Sequence, residues 1–381
     1  MGLPFDLPSG NVSVKVAFIC NALLTGIPMS RFVSPNIRGL EFLDQTPTFS
    51  FFIQHPSGKR LLFDLGVRKD WHNLSPTTAQ RLAEAGWKAE VSQDVPEILQ
   101  ENGISLESIE TVIWSHWHWD HVGDISKLPS SVSVLVGPGF SSAMTPGYPE
   151  NQKSPILESD YSGRFMTEIK EFDLSVGGLP AHDYFGDGSL FILSTPGHAV
   201  GHLSALARTT SHDSEAGDTY ILMGGDCCHH MSQLRPSNQC PLPRSVWMNT
   251  NWDVAPRSQN DMAWRSIHHS KGSSTPFTNV SDHPNGASAA SSPADAMVSL
   301  RKLRDFDAQN GSIFFAAAHD KSLLSAIELF PSFANDWKRK GWAEQARWSF
   351  LEELAQKNPA LENIGYNGSD LCFEEVEVSS S

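Results

Sequence analysis

The run WSHWHWDHVGD, residues 114–124, sets three histidines and two aspartates within eleven positions, directly after the apolar stretch SIETVI (108–113). Such crowding costs desolvation and repulsion unless a cation is held there. His116, His118, Asp120 and His121 form the pattern H-x-H-x-D-H. On an extended segment the rings of His116 and His118 point to one side and can share a metal ion. Asp120 and His121 then turn towards a second ion. A chain with this run needs a rigid strand ahead of it and further donors brought in from elsewhere, a demand met by loops gathered at one end of a sheet.

The flanking pattern supplies such a sheet. VSVKVAFI (12–19) alternates as a strand does, and FSFFIQHPSGKRLLFDLG (49–66) reads as two strands joined by a Pro-Ser-Gly turn. Helices are expected over 77–87 and 94–103, the second with Asp94 and Glu97 spaced as a capping box. Strand-like runs follow at 131–137, 189–198, 202–209, 218–226 and 311–320. Three of them end in a potential ligand: His198 in STPGH, Asp226 in MGGD and His319 in AAAHD. Helical patterns return at 293–306, 321–330 and 343–357, so the chain is of mixed α/β class with strands clustered and helices outside.

One domain is expected over 12–360, with an acidic tail at 361–381. Residues 227–292, rich in Pro, Ser, Asn and His, read as an insertion. Its first part carries Trp247, Trp252 and Trp264 and is expected to be an ordered loop or lid, and 270–292 to be flexible.

A formal charge of −15 over 381 residues, without a Lys/Arg run, excludes nucleic acid as a partner. The chain shows neither a secretory leader nor an apolar run long enough for a membrane span, which points to a cytoplasmic protein with no membrane partner. Cys20, Cys227, Cys228, Cys240 and Cys372 are too few and too scattered for a disulfide framework and read as reduced thiols. The oligomeric state is left open.

His116, His118, Asp120, His121, His198, Asp226 and His319 together offer five nitrogen donors and two carboxylates. That set suits two zinc ions and also serves iron or manganese. FDLG (63–66), HWHWDHVGD, TPGH, GGD and AHD, in this order, resemble the motifs of the metallo-β-lactamase superfamily. The resemblance covers most of the chain. It implies an αββα sandwich, with His116, His118 and His198 on one metal, Asp120, His121 and His319 on the other, and Asp226 bridging. A bridging hydroxide would be the nucleophile, and Asp120 would hand a proton to the leaving group.

Within that family the chain most resembles the quorum-quenching lactonase branch and fungal relatives with a GDxCHH-like segment. Hence a hydrolase opening a small cyclic ester or amide is implied, either in detoxification of benzoxazolinone-type lactams or in secondary metabolism. The lactonases place a catalytic tyrosine three residues after the bridging Asp. Here that position is His229, which becomes the second candidate catalytic residue beside Asp120. A thioesterase of a polyketide-type pathway and a non-catalytic metal-binding protein stay open as alternatives. Trp117 and Trp119 are divided between pocket wall and core; His202 and Asp64 are expected to support ligands, His230 either to orient Asp226 or simply to pack, and Cys227 and Cys228 to be buried thiols.

Overall fold

The computed structural model describes Phe5 and residues 7–8, 10–243, 268, 272, 274–282 and 288–357, together with the backbone of 245–248 and 257–260. The apolar runs become two sheets. β1 (Lys15–Thr25), β2 (Thr46–Gln54), β3 (Arg60–Phe63), β4 (Lys88–Val91), β5 (Ile109–Ile113), β6 (Ser133–Val136) and β7 (Met166–Glu168) form the first, in the order β4-β1-β2-β3-β5-β6-β7. β8 (Leu174–Val176), β9 (Leu179–Asp183), β10 (Leu190–Ser194), β11 (Leu203–Thr210), β12 (Thr219–Met223) and β13 (Ile313–Ala316) form the second, in the order β13-β12-β11-β10-β9-β8. β3 and β5 run parallel, as do β12 and β13, so the ends of each pair point the same way.

Period two sorts the side chains. Phe51, Phe63 and Ile113 of the first sheet meet Ile192, Leu203, Met223 and Phe314 of the second in the central core. Phe52, Leu62 and Val112 point out of the first sheet and are covered by Val95 and Leu99 of a helix. Leu206, Leu222 and Phe315 point out of the second and are covered by Leu300, Leu303 and Phe306 of another. The described helices are α1 (Pro76–Ala85), α2 (Val95–Glu101), the short Phe140–Met144, α3 (Pro293–Asp307), α4 (Trp342–Arg347) and α5 (Phe350–Lys357). Both sheets are covered outside as well as inside, which makes the expected αββα sandwich and explains strands that are apolar on both faces.

Local signals set the helix starts. Ser75 accepts from the Thr78 N–H ahead of Pro76 in α1, and Glu97 accepts from the Asp94 N–H at 3.1 Å in α2. Two expectations are corrected. The helix expected over 321–330 is a single 3-10 turn, Lys321–Ser325. β4 pairs only with Ala22 to Thr25, leaving the first half of β1 with an open edge. The chain fills that edge: Phe330 N–H donates to Phe18 O and Ala334 N–H to Val16 O, both at 2.7 Å. Satisfying a strand edge overrides local helix preference. The helix expected over 343–357 is broken between α4 and α5, where the Arg347 carbonyl accepts from the Arg235 guanidinium and leaves the helical ladder.

In the 227–292 stretch, 245–248 and 257–260 pair as an antiparallel ladder. Trp252, Trp264 and the expected tail at 361–381 lie outside the described residues. Of the part expected to be flexible, the described residues are tied to the body. Phe277, Thr278 and Ser281 are buried, Asn279 and Val280 pair with Ser34 and Val33, and Ser281 Oγ donates to Ser30 O at 2.7 Å. No described helix is long and apolar enough to cross a membrane. Cys20, Cys227, Cys228 and Cys240 are free thiols, the middle two buried as expected.

Candidate metal centre

All the candidate ligands lie just past strand ends at one edge of the sandwich. His116, His118, Asp120 and His121 follow β5, Asp226 follows β12, His319 follows β13, and His198 sits on the turn between β10 and β11. Backbone hydrogen bonds lock these segments to one another across the sheets: Leu203 N–H donates to Ser115 O at 2.8 Å, and Ala318 N–H to Gly225 O at 3.0 Å. Bends at Ser115 and Trp117 precede His116 and His118 rather than the extended segment expected; His121 N–H then donates back to His118 O at 3.0 Å, a turn that carries Asp120 and His121 to the second group.

Two groups result. His116 Nε2 and His198 Nε2 lie 2.8 and 2.9 Å from His118 Nδ1. His319 Nε2 and His121 Nε2 lie 3.5 and 3.9 Å from Asp120 Oδ2. Asp226 stands between them. Its Oδ1 is 3.0 Å from His121 Nε2 and 3.1 Å from His319 Nε2, while its Oδ2 is 3.2 Å from His198 Nε2 and 3.7 Å from His116 Nε2.

The convergence of these donors, rather than their spacing, points to shared cations. His121 Nε2 and Asp226 Oδ1 are buried and 3.0 Å apart, yet neither is satisfied by a hydrogen bond. The far ring nitrogens are already committed. His121 Nδ1–H donates to Asp64 Oδ2 at 2.8 Å and His319 Nδ1–H to Pro47 O at 2.9 Å. Ser115 Oγ donates to Asp64 Oδ2 and accepts from His116 Nδ1–H at 3.0 Å. Each arrangement leaves an Nε2 lone pair facing the cluster, which is how a metal-binding imidazole is oriented. Burial holds His116 and His118 well below the usual histidine range, so they are neutral donors. Burial also pushes His121 down, but Asp226, Asp64 and Asp120 overcome it and leave it well raised. Asp226 is the converse: burial pushes it up, and His121, His319 and His229 bring it well below the carboxylate range. A set of imidazoles and two carboxylates with these orientations fits divalent cations.

The supporting residues fall largely where the sequence put them. Asp64, at φ 62°, also accepts from Ser115 N–H at 2.6 Å and so fixes the metal loop to the end of β3. His202 accepts from the Asp226 N–H at its Nε2, 3.0 Å away, and its Nδ1 lies 3.0 Å from Thr195 O; it faces the backbone. His229 Nε2 donates to Asp226 Oδ2 at 3.1 Å, and its ring stacks on Phe32 with centroids 4.0 Å apart. His230 turns away, its Nδ1 accepting from Ser232 N–H.

Above the candidate ligands lies a cavity open to solvent. Trp117 and Trp119 both line it, and each also packs against a core cluster, so neither is pure core. Arg31, Arg81, Phe32 and Trp87 share the wall. No motif singles them out, because they come from separate turns and a helix that only the fold brings to one place.

Residues 43–209 match the family described as the Metallo-beta-lactamase superfamily. Over 380 residues the chain is 38% identical to the gamma-lactamase FDB1 of Fusarium pseudograminearum (strain CS3096), covering 94% of this chain and 88% of that protein. The chain belongs to the metallo-beta-lactamase superfamily. A second relative is the metallo-hydrolase mfmC of Annulohypoxylon moriforme, 35% identical with 96% of each chain covered. The superfamily sandwich recurs in a crystal structure of a B. thuringiensis AiiA variant, with a TM-score of 0.54 at 16% identity over 86% of this chain and all of that one.

Proposed function

We propose that the chain is a dinuclear metal-dependent hydrolase that opens a small lactone or lactam ring in the cytoplasm. The observation that carries this reading is Asp226, whose two oxygens are divided between two groups of donors at the floor of a largely apolar cavity. A relative named a gamma-lactamase, alike over nearly the whole chain, supports a cyclic amide such as a benzoxazolinone-type lactam. The relative named a metallo-hydrolase supports hydrolysis without narrowing the ring.

Two bound divalent cations would supply a hydroxide near neutral pH and polarise the substrate carbonyl. The chain's own residues do the remaining work. His116, His118 and His198 form one ligand set, Asp120, His121 and His319 the other, with Asp226 shared. Burial raises the Asp120 carboxyl, which lines the cavity and is placed to hold a proton for the departing ring heteroatom. His229 steadies Asp226 from the cavity side. Trp117, Trp119 and Leu43 exclude water from the ring. Residues 12–360 act as one domain, in which the 227–292 insertion shapes the pocket, Ala289 contributing to its wall. The cavity leaves the ligands accessible, which a metal store would not need.

The test is a hydrolysis screen of γ-lactones, benzoxazolinone-type lactams and acyl thioesters, with and without a chelator. One ring class should be opened, with the rate lost on chelation and restored by zinc. Cleavage of thioesters alone, or no ring opened by metal-loaded protein, contradicts the proposal.

A further inference from the structure

We infer that the cavity wall holds an anion-recognising pair, Arg31 and Arg81, and that the substrate carries a carboxylate or similar anionic group for it. The substrate clause rests on the hydrolase reading; the anion site itself does not.

The two guanidinium carbons lie 5.4 and 6.0 Å from the centre of the Trp87 ring. Both arginines line the cavity that has His118, Asp120 and Asp226 at its floor. Arg31 is half-buried on the 3-10 turn Met29–Arg31, and its Nε is fully buried with no hydrogen-bond partner. Arg81 comes from the exposed side of α1.

What sets them apart is the treatment of the other buried or half-buried arginines. Arg208 meets Asp218, Arg235 meets Asp307 and Arg68 meets Asp70. Arg164 donates to the carbonyls of Pro129, Ile125 and Leu128. The chain has 43 acidic residues against 28 basic ones, so a counter-ion is the easy solution. Among the described residues, neither Arg31 nor Arg81 has one. Instead they face each other's charge, and burial together with Arg81 holds Arg31 below its usual range. Two like charges kept together over an aromatic face, one with an unused buried donor, form a site waiting for an anion. A planar guanidinium matches a carboxylate through paired hydrogen bonds, and the Trp87 ring beside the pair seats an apolar or aromatic body. An anionic ligand would thus lie with its charge on the arginines and its ring against Trp87.

The experiment measures binding by calorimetry at low salt on the metal-loaded protein, with benzoate and benzamide as probes. It compares the native chain, Arg81→Gln and Arg31→Gln/Arg81→Gln. Benzoate should lose about tenfold in affinity in the double variant and a smaller factor in Arg81→Gln, while benzamide stays unchanged. Benzoate binding equal in all three proteins, or benzoate and benzamide weakened alike, overturns the proposal. Benzoate can also reach the metals, but that contact is common to all three proteins and cancels in the comparison. Should the double variant not fold, the exposed Arg81→Gln change carries the same comparison alone. Because no turnover is read, failure of the ring-opening reading would leave this result standing, and failure here would leave that reading intact.

Discussion

Asp64 and Asp226 are both buried carboxylates set among histidines, yet they do different work. Asp64 holds the far nitrogen of His121 and the backbone of Ser115, whereas Asp226 faces the near nitrogens. His202 belongs with Asp64, since it orients the Asp226 backbone and is kept neutral to do so. Burial, with His198 alongside, pushes it from 6.5 down to about 3. Between those values the unfolded chain holds a proton that the folded chain does not. Stability therefore rises with pH across this window, by up to about 1.4 kcal/mol per unit, and is lost as pH falls below 6.5. In metal-free protein, urea unfolding from pH 6.5 to 5 should show the native chain losing about 2 kcal/mol more than His202→Gln, which keeps an acceptor for the Asp226 N–H. Equal losses would show that His202 is protonated in the fold. The candidate ligand residues stand out in the sequence because four of them crowd into six positions and the rest end strand-like runs. Arg31, Arg81 and Pro47, whose carbonyl orients His319, could not, since nothing local marks a residue that acts through distant packing.

Turns at the strand ends carry the site, and they depend on close approach. Gly197, at φ 129° in the turn that bears His198, sits where a Cβ would lie 2.0 Å from the Ala296 nitrogen of α3. Gly197→Ala must pry that turn from the helix, lowering stability by about 3 kcal/mol in urea unfolding and displacing His198. Gly58, also at positive φ but with nothing within 4 Å, is the control, and Gly58→Ala should cost only about 1 kcal/mol of backbone strain. Equal costs would mean that the turn yields freely. The strands β1–β3, β5, β6 and β10–β13 and the capped helices α1 and α2 were legible because their signals are local, whereas the short strands β4 and β7–β9 carried none. The expected helix at 321–330 failed because its backbone was needed at the open edge of β1. The expected helix at 343–357 broke because Arg235 takes the Arg347 carbonyl. In both cases a partner far along the chain outweighs propensity.

At the scale of the molecule, a buried ion cluster fastens the segment after Gln233 to the ends of α3 and α4. Arg235 donates to both oxygens of Asp307 at 2.6 and 2.9 Å, and Arg347 approaches the same carboxylate at 3.7 Å. Asp307→Ala strands two buried cations and should cost about 3–5 kcal/mol in denaturant unfolding; a cost below about 1 kcal/mol would mean that water reaches the cluster. Such a pairing joins residues 72 positions apart and gives no signal in the sequence. The sandwich itself did, through five motifs in order, because each marks a strand end that a common edge must gather. On this account the two halves of that edge meet in Asp226. The most direct test is metal content by elemental analysis of the purified native chain beside Asp226→Ala. The account predicts about two ions per native chain and about one or fewer in the variant. A native chain holding a single ion, or a variant that retains two, would contradict it.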